Sequence, residues 1–379
     1  MRGPPLTEAE VKRYGRHLVL PEIGAEGQSK LRASSVLVVG VGGLGVPAAV
    51  QLASAGVGRI GLLDGDTVEA SNLQRQFIFS EADVGRKKVE IAAERLRQVN
   101  PNARVATYDV RLGSDNALDF IGEYDVVVDA TDNLPSRYLI SDACVMLSKP
   151  DVYASAQAFE GQVSVFYSPL GPCYRCIYPA PPPPESVRSC EETGVMSAVP
   201  SVLGTLQAIQ AVALILQRGS PLVGRLLVFN ALDSSFDEVK IRKSGSCAAC
   251  GPEATLTALI DYEEFCNVRP RPESKVDVTP VELKAMLDAG APVTLLDVRE
   301  PYEHSICHLD GAVLVPLGSL VRGAAKLDRS KRLVAYCHTG VRSRTAVEFL
   351  RKAGFSDVMN LKGGIEAWAE EVEPTMPRY

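Results

Sequence analysis

Four cysteines stand in two Cys-x-x-Cys pairs, and this spacing is typical of metal ligands. Each pair places two thiolates on one turn, and four thiolates complete a tetrahedral zinc site. One pair alone would also fit a redox motif, but two pairs, each beside Gly or Pro, favour structural zinc. We therefore predict a closed Zn²⁺ site without zinc chemistry, with four unliganded cysteines as the alternative. Its ligands would be Cys173, Cys176, Cys247 and Cys250.

A different cysteine chemistry is predicted for the segment from Cys337 to Arg342, whose sequence is Cys-His-Thr-Gly-Val-Arg. It lies between a predicted strand ending at Tyr336 and a predicted helix beginning at Ser343. Backbone N–H groups of such a loop, the helix dipole and Arg342 would stabilise a thiolate or persulfide anion on Cys337. Both residues are therefore catalytic candidates, whereas His308 and His338 are read as ordinary core and loop residues.

A glycine-rich turn follows the apolar run Val36–Gly40 and opens a helix. The glycines would let the backbone approach phosphate, and Asp64, 19 residues after Gly45, would accept hydrogen bonds from ribose hydroxyls. Taken alone, this fingerprint favours an NAD-dependent oxidoreductase. The glycines concerned are Gly40, Gly42, Gly43 and Gly45.

Charged residues after this turn favour a nucleoside triphosphate over NAD. Arg75 and Lys88 would suit the larger charge of a triphosphate, although a solvated basic turn is the ordinary alternative. Asp132 follows a buried strand that ends at Ala130, at the edge where such sheets bind ligands, and its carboxylate could hold Mg²⁺. The alternative for Asp132 is a helix N-cap before Leu134.

Strand and helix patterns alternate along the chain and indicate an α/β protein of 379 residues. We predict a first domain over 1–266, a polar, proline-broken linker at 267–276 and a small second domain over 277–379. Two charge-free windows, 36–58 and 193–217, are interrupted by glycine or polar residues, so we do not expect them to span a membrane. The net charge of −6 does not suggest binding to nucleic acid or to an anionic membrane.

The first domain resembles the ATP-dependent activating enzymes of the E1 superfamily, most closely the MoeB/ThiF branch. The resemblance covers about 7–266 and rests on Gly40-x-Gly-Gly-x-Gly45, Ser71-Asn-Leu-x-Arg-Gln76, Gly85-x-x-Lys88 and Thr131-Asp-Asn133, with Arg13-Tyr-x-Arg16 near the start. It implies a Rossmann-like fold, a parallel sheet with an antiparallel extension, that binds ATP. It also implies adenylation of the C-terminal glycine of a small ubiquitin-like sulfur carrier.

The resemblance assigns roles to individual residues. Asp64 would hold the ribose, Arg75 and Lys88 the phosphates, and Asp132 the Mg²⁺ ion. Arg16 would reach into the site of a neighbouring subunit, which requires a homodimer. The full set of nucleotide-site candidates also includes Asp66, Asn72, Gln76 and Asn133.

The second domain resembles a single rhodanese domain over about 277–379. The Cys337 loop has the short spacing of that family, and three further motifs occur with it: Asp297-Val-Arg-Glu300, His308-Leu-Asp-Gly-Ala312 and Leu361-Lys-Gly-Gly364 with Trp368. The whole chain thus resembles a fused MoeB–rhodanese protein of the MoeZ/MoeBR type. This implies a sulfurtransferase in which Cys337 carries persulfide sulfur, whereas an inactive rhodanese-like module would lack the cysteine.

The other cysteines complete the assignment of nine. Cys190 follows a proline-rich loop and matches the crossover-loop cysteine of the MoeB/ThiF branch, which bonds the carrier in some relatives and is dispensable in others. Cys144, Cys266 and Cys307 lie among apolar residues and are expected to pack in the core. The start of the chain has no apolar stretch, so we expect a reducing, cytoplasmic location.

The hypothesis from sequence is therefore a two-stage reaction. Mg-ATP would adenylate the carrier, whose C-terminus is Gly-Gly, and the Cys337 persulfide would then displace AMP, with Cys190 as a candidate for the final cleavage. A cysteine desulfurase or thiosulfate would supply the sulfur. The sequence does not choose among molybdenum cofactor, thiamine, cysteine, tRNA-thiolation and secondary-metabolite pathways. An NAD-dependent oxidoreductase and a scaffold that only binds carriers are the other hypotheses.

Overall fold

The computed structural model describes residues 5–182, 193–266, 277–324, 327–328, 331–355 and 357–379. The chain divides into two compact units. The described residues up to Cys266 form the larger unit, and those from Asp277 onwards form the smaller one. The predicted linker at 267–276 lies outside the described residues, so its boundaries stay a prediction.

The larger unit is built on an eight-stranded sheet with the order β3-β2-β1-β4-β5-β6-β7-β8. Strands β1 to β5 run parallel, and β6, β7 and β8 continue the sheet in antiparallel pairs. The predicted parallel sheet with an antiparallel extension is thus confirmed. The strands are β1 Ser35–Val39, β2 Arg59–Leu63, β3 Arg104–Tyr108, β4 Val126–Asp129, β5 Asp151–Gln157, β6 Glu160–Phe166, β7 Arg225–Asn230 and β8 Ser235–Lys240.

Helices cover both faces of this sheet, and each face has its own apolar core. The α-helices are Glu8–Arg13, Gly15–Leu18, Gly24–Ala33, Gly45–Ala55, Lys88–Val99, Ala117–Gly122, Leu134–Met146, Tyr174–Ile177, Ala198–Leu216 and Tyr262–Phe265. Short 3₁₀ helices lie at Ala70–Asn72 and Glu81–Asp83.

The order of the strands predicts a ligand-binding crevice at the carboxyl ends of β1 and β4. These strands are almost continuously apolar and buried, which is the pattern of parallel strands covered on both faces. The chain runs from β1 outward to β2 and β3 on one side, and then returns to β4 on the other side of β1. Such a reversal opens a crevice in which α/β sheets bind ligands.

The helix Ala198–Leu216 lies in the second charge-free window, and among the described residues it alone is long and apolar enough to cross a membrane. Its Gln207 is fully buried and donates hydrogen bonds to the carbonyls of Asp129 and Val152, in β4 and β5. The helix is therefore packed on the sheet, as expected for a core helix. The first window forms β1, the glycine turn and the helix Gly45–Ala55.

One predicted helix start was wrong. The apolar periodicity of 85–99 predicts a helix from Gly85 with Arg86, Lys87 and Lys88 in its first turn, but the helix begins at Lys88, and Lys87 is the extended N-cap residue. Arg86 and Lys87 therefore precede the helix, where the carboxylates of Asp83 and Asp109 neutralise them. Of the three consecutive cations Arg86, Lys87 and Lys88, Lys88 alone lies in the first turn of this helix.

The smaller unit has a five-stranded parallel sheet with the order β11-β10-β12-β13-β9. The strands are β9 Asp277–Val278, β10 Val293–Asp297, β11 Val313–Leu314, β12 Arg332–Tyr336 and β13 Val358–Leu361. The helices are Pro280–Asp288, Pro301–Ile306, Leu320–Gly323, Val341–Lys352 and Gly364–Glu371, with a 3₁₀ turn at Leu317–Ser319.

Local sequence explains the start of this unit. The sequence Thr279-Pro-Val-Glu282 predicts a capping box, and Thr279 caps the helix Pro280–Asp288 in a reciprocal box with Glu282. Two apolar clusters fill the faces of the smaller sheet, and they include Trp368 on one face and Cys337 on the other. Because β12 lies in the middle of this sheet, its carboxyl end is a fixed platform for the loop that follows.

Candidate active sites and metal centre

Two glycines shape the turn after β1, because each touches backbone that a side chain would displace. Gly40 has φ +89°, and a Cβ atom there would lie 2.7 Å from the carbonyl oxygen of Ala130 at the end of β4. A Cβ atom on Gly45 would lie 1.8 Å from the carbonyl oxygen of Gly40. The turn therefore closes tightly against β4, and the helix Gly45–Ala55 starts directly at the cleft.

Asp64, the predicted ribose ligand, holds this turn in place. Its Oδ2 accepts a hydrogen bond from the Val41 N–H at 2.7 Å, and its Oδ1 accepts one from the Asp66 N–H at 2.8 Å. The carboxylate is half-buried at the end of β2. A ribose hydroxyl would use the remaining lone pairs of these oxygens.

The structure brings Arg75 and Gln76 to the same turn. A Cβ atom on Gly42 would lie 3.6 Å from Gln76 Nε2, and one on Gly43 would lie 3.4 Å from Arg75 Cγ. The Oε1 atom of Gln76 is buried and has no hydrogen-bond partner among the described residues. Arg75 Nη1 donates to the carbonyl of Ser71, while Asn72 is buried beneath this segment.

Lys88 is buried at the first residue of its helix and lies 3.2 Å from Asp66 Oδ2. This ion pair holds one cation beside the end of β2.

Arg16 is exposed in the short helix Gly15–Leu18. An exposed position of this kind suits the role that the resemblance gives to Arg16, because a side chain that serves a neighbouring subunit has to extend beyond the surface of its own subunit.

Asp132 and Asn133 occupy the turn after β4. Asn133, and not Asp132, caps the helix Leu134–Met146, since Asn133 Oδ1 accepts the Ser136 N–H at 3.0 Å. The alternative reading of Asp132 as the N-cap is therefore wrong, and its carboxylate is exposed at the strand end. The buried Asp129 accepts hydrogen bonds from the Thr131 N–H and hydroxyl, which fixes this turn. Burial raises the pKa of Asp129.

The four predicted zinc ligands form one cluster, whose sulfur atoms all lie within 4.8 Å of one another. Distances are 3.5 Å for Cys173–Cys247, 3.4 Å for Cys176–Cys250 and 3.9 Å for Cys173–Cys176. Tetrahedral zinc with Zn–S bonds of about 2.3 Å requires sulfur atoms about 3.8 Å apart. The cluster therefore fits a closed Cys₄ zinc site.

Buried polar contacts hold the first cysteine pair in place. Arg175, between the two cysteines, forms a bidentate ion pair with Asp142 at 2.8 Å, and the Tyr262 hydroxyl donates to the same carboxylate at 2.7 Å. Burial and the neighbouring thiols raise the pKa of Cys173. Zinc would bind these sulfur atoms as thiolates, and the metal–sulfur bonds would offset the cost of deprotonating a buried thiol.

Cys337 lies at the carboxyl end of β12, immediately before the helix Val341–Lys352. Its Sγ accepts a hydrogen bond from the Gly340 N–H at 3.1 Å, and the Ser343 hydroxyl, which donates to Asn360 Oδ1 at 2.6 Å, lies 3.4 Å from it. The thiol is fully buried. The amide donor near the start of a helix is part of the environment predicted for a reactive thiolate.

The sequence predicts that the charge of Arg342 stabilises a thiolate on Cys337, but in the structure the Arg342 guanidinium binds Glu303. Its two terminal nitrogens bind Glu303 at 2.7 and 2.6 Å, and both side chains are buried. Burial of the Glu303 carboxylate is outweighed by hydrogen bonds from Arg342 and the Glu300 N–H, so the pKa of Glu303 is lowered. The role of Arg342 at the sulfur therefore stays a prediction.

A second buried ion pair supports this loop from β10. Arg299 binds Asp297 at 2.6 Å with both side chains fully buried, and Arg299 also donates to the carbonyl of Cys307. His304 contacts the same carboxylate at 2.9 Å. The Asp297-Val-Arg-Glu300 motif is thus structural, because it ties the helix Pro301–Ile306 to the end of β10.

Sequence reasoning missed three side chains that contact this loop: Glu303, Glu366 and Tyr379. Glu366 lies 3.2 Å from Nε2 of His338, and Tyr379 stacks on the same imidazole. Each follows a motif that was recognised, but nothing in the spacing marks which acidic or aromatic residue turns toward Cys337. His338 is buried, whereas His308 is exposed.

The remaining cysteines are placed as follows. Cys144 and Cys266 belong to the core of the larger unit and Cys307 to that of the smaller unit, which confirms that they pack among apolar residues. Cys190 lies outside the described residues, so its proposed role has no structural test.

Comparison with protein families matches each unit. Residues 14–249 match the ThiF family, and residues 279–371 match the rhodanese-like domain. A Mycobacterium tuberculosis protein named probable adenylyltransferase/sulfurtransferase MoeZ is 44% identical, with 99% of both chains covered. The adenylyltransferase and sulfurtransferase MOCS3 of Mus musculus is 41% identical over 99% of this chain and 88% of its own.

Solved structures support the fold of the larger unit. Crystal structures of Escherichia coli MccB, one with MccA-N7isoASN, match at TM-scores of 0.57 and 0.58. They are 23% identical and cover 64% and 65% of this chain and 74% of their own. At this identity the likeness concerns the fold alone.

Proposed function

Because this chain belongs to the ThiF family and also carries a rhodanese-like domain, it is an adenylyltransferase and sulfurtransferase, and we propose that its substrate is a small ubiquitin-like sulfur carrier. The carrier's C-terminal glycine would be adenylated in the cleft of the larger unit. The persulfide on Cys337 would then convert it to a thiocarboxylate. The pairing of both activities in one chain would raise the local concentration of sulfur donor at the adenylate.

The cleft supports the adenylation step through its fixed backbone and its charges. The turn at Gly40–Gly45 offers N–H groups and a helix N-terminus to phosphate, and Asp64 keeps oxygen lone pairs for the ribose. Arg75 and Lys88 would balance the triphosphate charge. Asp132 is an exposed carboxylate at the carboxyl end of β4 and would hold Mg²⁺, which neutralises phosphate oxygens when bound.

The first step forms one bond and breaks one. A carboxylate oxygen of the carrier's terminal glycine attacks the α-phosphorus of ATP, and pyrophosphate leaves with the electron pair of the broken P–O bond. The acyl-adenylate is an activated carbonyl, with AMP as the leaving group.

The second step transfers sulfur. The terminal sulfur of the Cys337 persulfide attacks the acyl carbon, and AMP leaves, which gives an acyl disulfide. A thiol then attacks Cys337 Sγ, so that the carrier leaves as a thiocarboxylate and a protein disulfide forms. We assign that thiol to Cys190, and a cellular dithiol would reduce the disulfide afterwards.

One observation carries the sulfur half of this proposal. Cys337 Sγ accepts a hydrogen bond from the Gly340 N–H at 3.1 Å, just before the start of a helix. Two sources of partial positive charge, the amide and the helix N-terminus, thus lie beside one sulfur. Anionic sulfur is the form that transfers.

The test separates the two steps in the full chain. Purified protein is incubated with ATP, Mg²⁺, thiosulfate and a carrier ending in Gly-Gly, and pyrophosphate exchange and carrier mass are measured. We expect Cys337→Ala to keep exchange but lose thiocarboxylate formation, and Cys307→Ala, a cysteine of the same unit that packs in its core, to keep both. Full thiocarboxylate formation by Cys337→Ala would reject the assigned role.

We also propose that the active form is a homodimer in which Arg16 completes the neighbouring site. Its exposed position in the helix Gly15–Leu18 supports this. Arg16→Ala and Asp132→Asn should each lose exchange activity. Mixing the two variants should restore part of it, because one site of each hybrid dimer then has both residues. A mixture without any recovery would contradict the shared site.

A further inference from the structure

Tyr379 contacts both long polar side chains of the Cys337 loop. Its ring stacks on the imidazole of His338, with centroids 4.5 Å apart and planes 12° apart. Its hydroxyl donates a hydrogen bond of 3.0 Å to Glu303 Oε1, and that carboxylate binds Arg342. One aromatic side chain therefore touches His338 directly and Arg342 through a single carboxylate.

The same hydroxyl is anchored to the rigid part of the smaller unit. It accepts a hydrogen bond of 2.8 Å from Arg299 Nη1, and Arg299 is fully buried in its ion pair with Asp297 at the end of β10. Burial raises the pKa of Tyr379, so the hydroxyl stays protonated and able to donate to Glu303. Tyr379 thus links the end of β10 to the loop after β12.

A second contact from the same segment reaches His338 from another direction. Arg378 Nε donates to Glu366 Oε1 at 2.8 Å, and the other oxygen of Glu366 lies 3.2 Å from His338 Nε2. Because a carboxylate accepts, His338 Nε2 carries the hydrogen of this contact. The imidazole is held between a ring and a carboxylate.

The remaining nitrogen of this imidazole has an unfilled hydrogen-bond capacity. His338 is 6% exposed, and its Nδ1 has no hydrogen-bond partner among the described residues. A buried polar nitrogen without a partner is costly, so a built position of this kind is suited to a hydrogen-bonding group that arrives with a bound molecule. His338 directly follows Cys337 in the loop.

We propose that Tyr379 is a positioning residue for sulfur transfer at Cys337, holding His338 and the Glu303–Arg342 pair in the orientation that receives the sulfur donor or acceptor. This inference rests on the proposed function, in which Cys337 carries the transferred sulfur. It adds that the ring and the hydroxyl of Tyr379 have separate effects. The ring fixes His338, and the hydroxyl fixes Glu303.

The experiment measures thiosulfate:cyanide sulfur transfer by the full chain, with Tyr379→Phe and Tyr379→Leu as variants. Tyr379→Phe keeps the ring and loses the hydroxyl, so we expect kcat to fall about threefold to tenfold while the KM for thiosulfate stays within about twofold. Tyr379→Leu also loses the stacking and should fall further. Tyr302→Phe is the matched control, because Tyr302 is 60% exposed on the helix Pro301–Ile306, and it should keep wild-type kcat.

A double-variant cycle separates positioning from general stability. If the ring of Tyr379 acts through His338, Tyr379→Leu should lower kcat in a His338→Ala background only by the part that is due to the hydroxyl, and so by less than in the wild type. Equal losses in both backgrounds, or wild-type kcat for Tyr379→Leu, would overturn the proposal. Urea unfolding, followed by the fluorescence of Trp368, the single tryptophan, measures the stability of the same variants.

Cys337→Ala distinguishes failure of this inference from failure of the proposed function. Sulfur transfer by Cys337→Ala at the wild-type rate would reject both. An inactive Cys337→Ala together with a fully active Tyr379→Leu would reject only the role of Tyr379. Because Tyr379→Phe preserves the ring and its packing, it decides the role of the hydroxyl even if the leucine variant does not fold.

Discussion

Individual residues around Cys337 show how far sequence alone can go. Cys337 and the length of its loop were predictable, because the loop from Cys337 to Arg342 is a run of consecutive residues with a recognisable spacing. The partner of Arg342 was not, because Glu303 comes from another helix and nothing in its spacing marks the contact. The loop arginine therefore has its charge balanced inside the protein, with Tyr379 bound to the same carboxylate.

The Glu303–Arg342 pair predicts a specific dependence of stability on pH. Since the pKa of Glu303 is lowered on folding, the pair stabilises the protein above the unfolded carboxyl's pKa, about 4.3. That contribution is lost as the pH falls through the lower, folded-state pKa. Glu303→Gln should cost about 3 kcal/mol at pH 7, because it leaves a buried guanidinium unpaired, and this cost should diminish only as the pH falls below about 4 toward the folded-state pKa.

The measurement is urea unfolding followed by the fluorescence of Trp368, which lies in the same unit. Glu371→Gln replaces an exposed carboxylate of the same unit and should change the free energy of unfolding by less than about 0.5 kcal/mol. A cost of Glu303→Gln that stays constant from pH 7 to well below pH 4 would argue against a charged pair.

At the scale of elements, the glycine turn after β1 determines whether the cleft exists. Its strand, turn and helix were predictable, because an apolar strand and closely spaced glycines are local signals. The start of the helix at Lys88 was not, because Lys87 takes an extended conformation and the N–H of Lys88 bonds to the carbonyl of Asp66, a contact between segments distant in sequence.

Gly45→Ala should destroy the cleft. The added methyl group would lie 1.8 Å from the carbonyl oxygen of Gly40, so the first turn of the helix has to move away from the phosphate position. We expect pyrophosphate exchange to disappear and the larger unit to lose about 3 kcal/mol.

Gly122→Ala is the matched control for this change. Gly122 is exposed at the end of the helix Ala117–Gly122, and a Cβ atom there would meet nothing within 4 Å. It should keep full exchange and gain up to about 1 kcal/mol. Near-normal exchange by Gly45→Ala would show that the turn tolerates a displaced helix.

At the scale of the whole molecule, the two units have separate apolar cores, and the metal cluster belongs only to the larger one. The cluster joins two segments separated by 70 residues, and the sequence predicted its four members because Cys-x-x-Cys pairs are local. Their support by Arg175, Asp142 and Tyr262 was not predictable, since these residues come from three segments distant in sequence.

This separation predicts a selective effect of zinc loss. Cys250→Ser removes one ligand, so the metal content should fall from one zinc per chain toward none, and the larger unit should lose stability and pyrophosphate exchange. Thiosulfate:cyanide transfer should remain within about twofold of wild type, because the smaller sheet and the Cys337 loop keep their own core. Cys144→Ala removes a buried thiol outside the cluster and should retain one zinc. Elemental analysis measures the zinc content, and the two assays measure pyrophosphate exchange and thiosulfate:cyanide transfer. Loss of both activities in Cys250→Ser would show that the smaller unit depends on the zinc-bound larger unit. Wild-type protein that contains no zinc would reject the metal site.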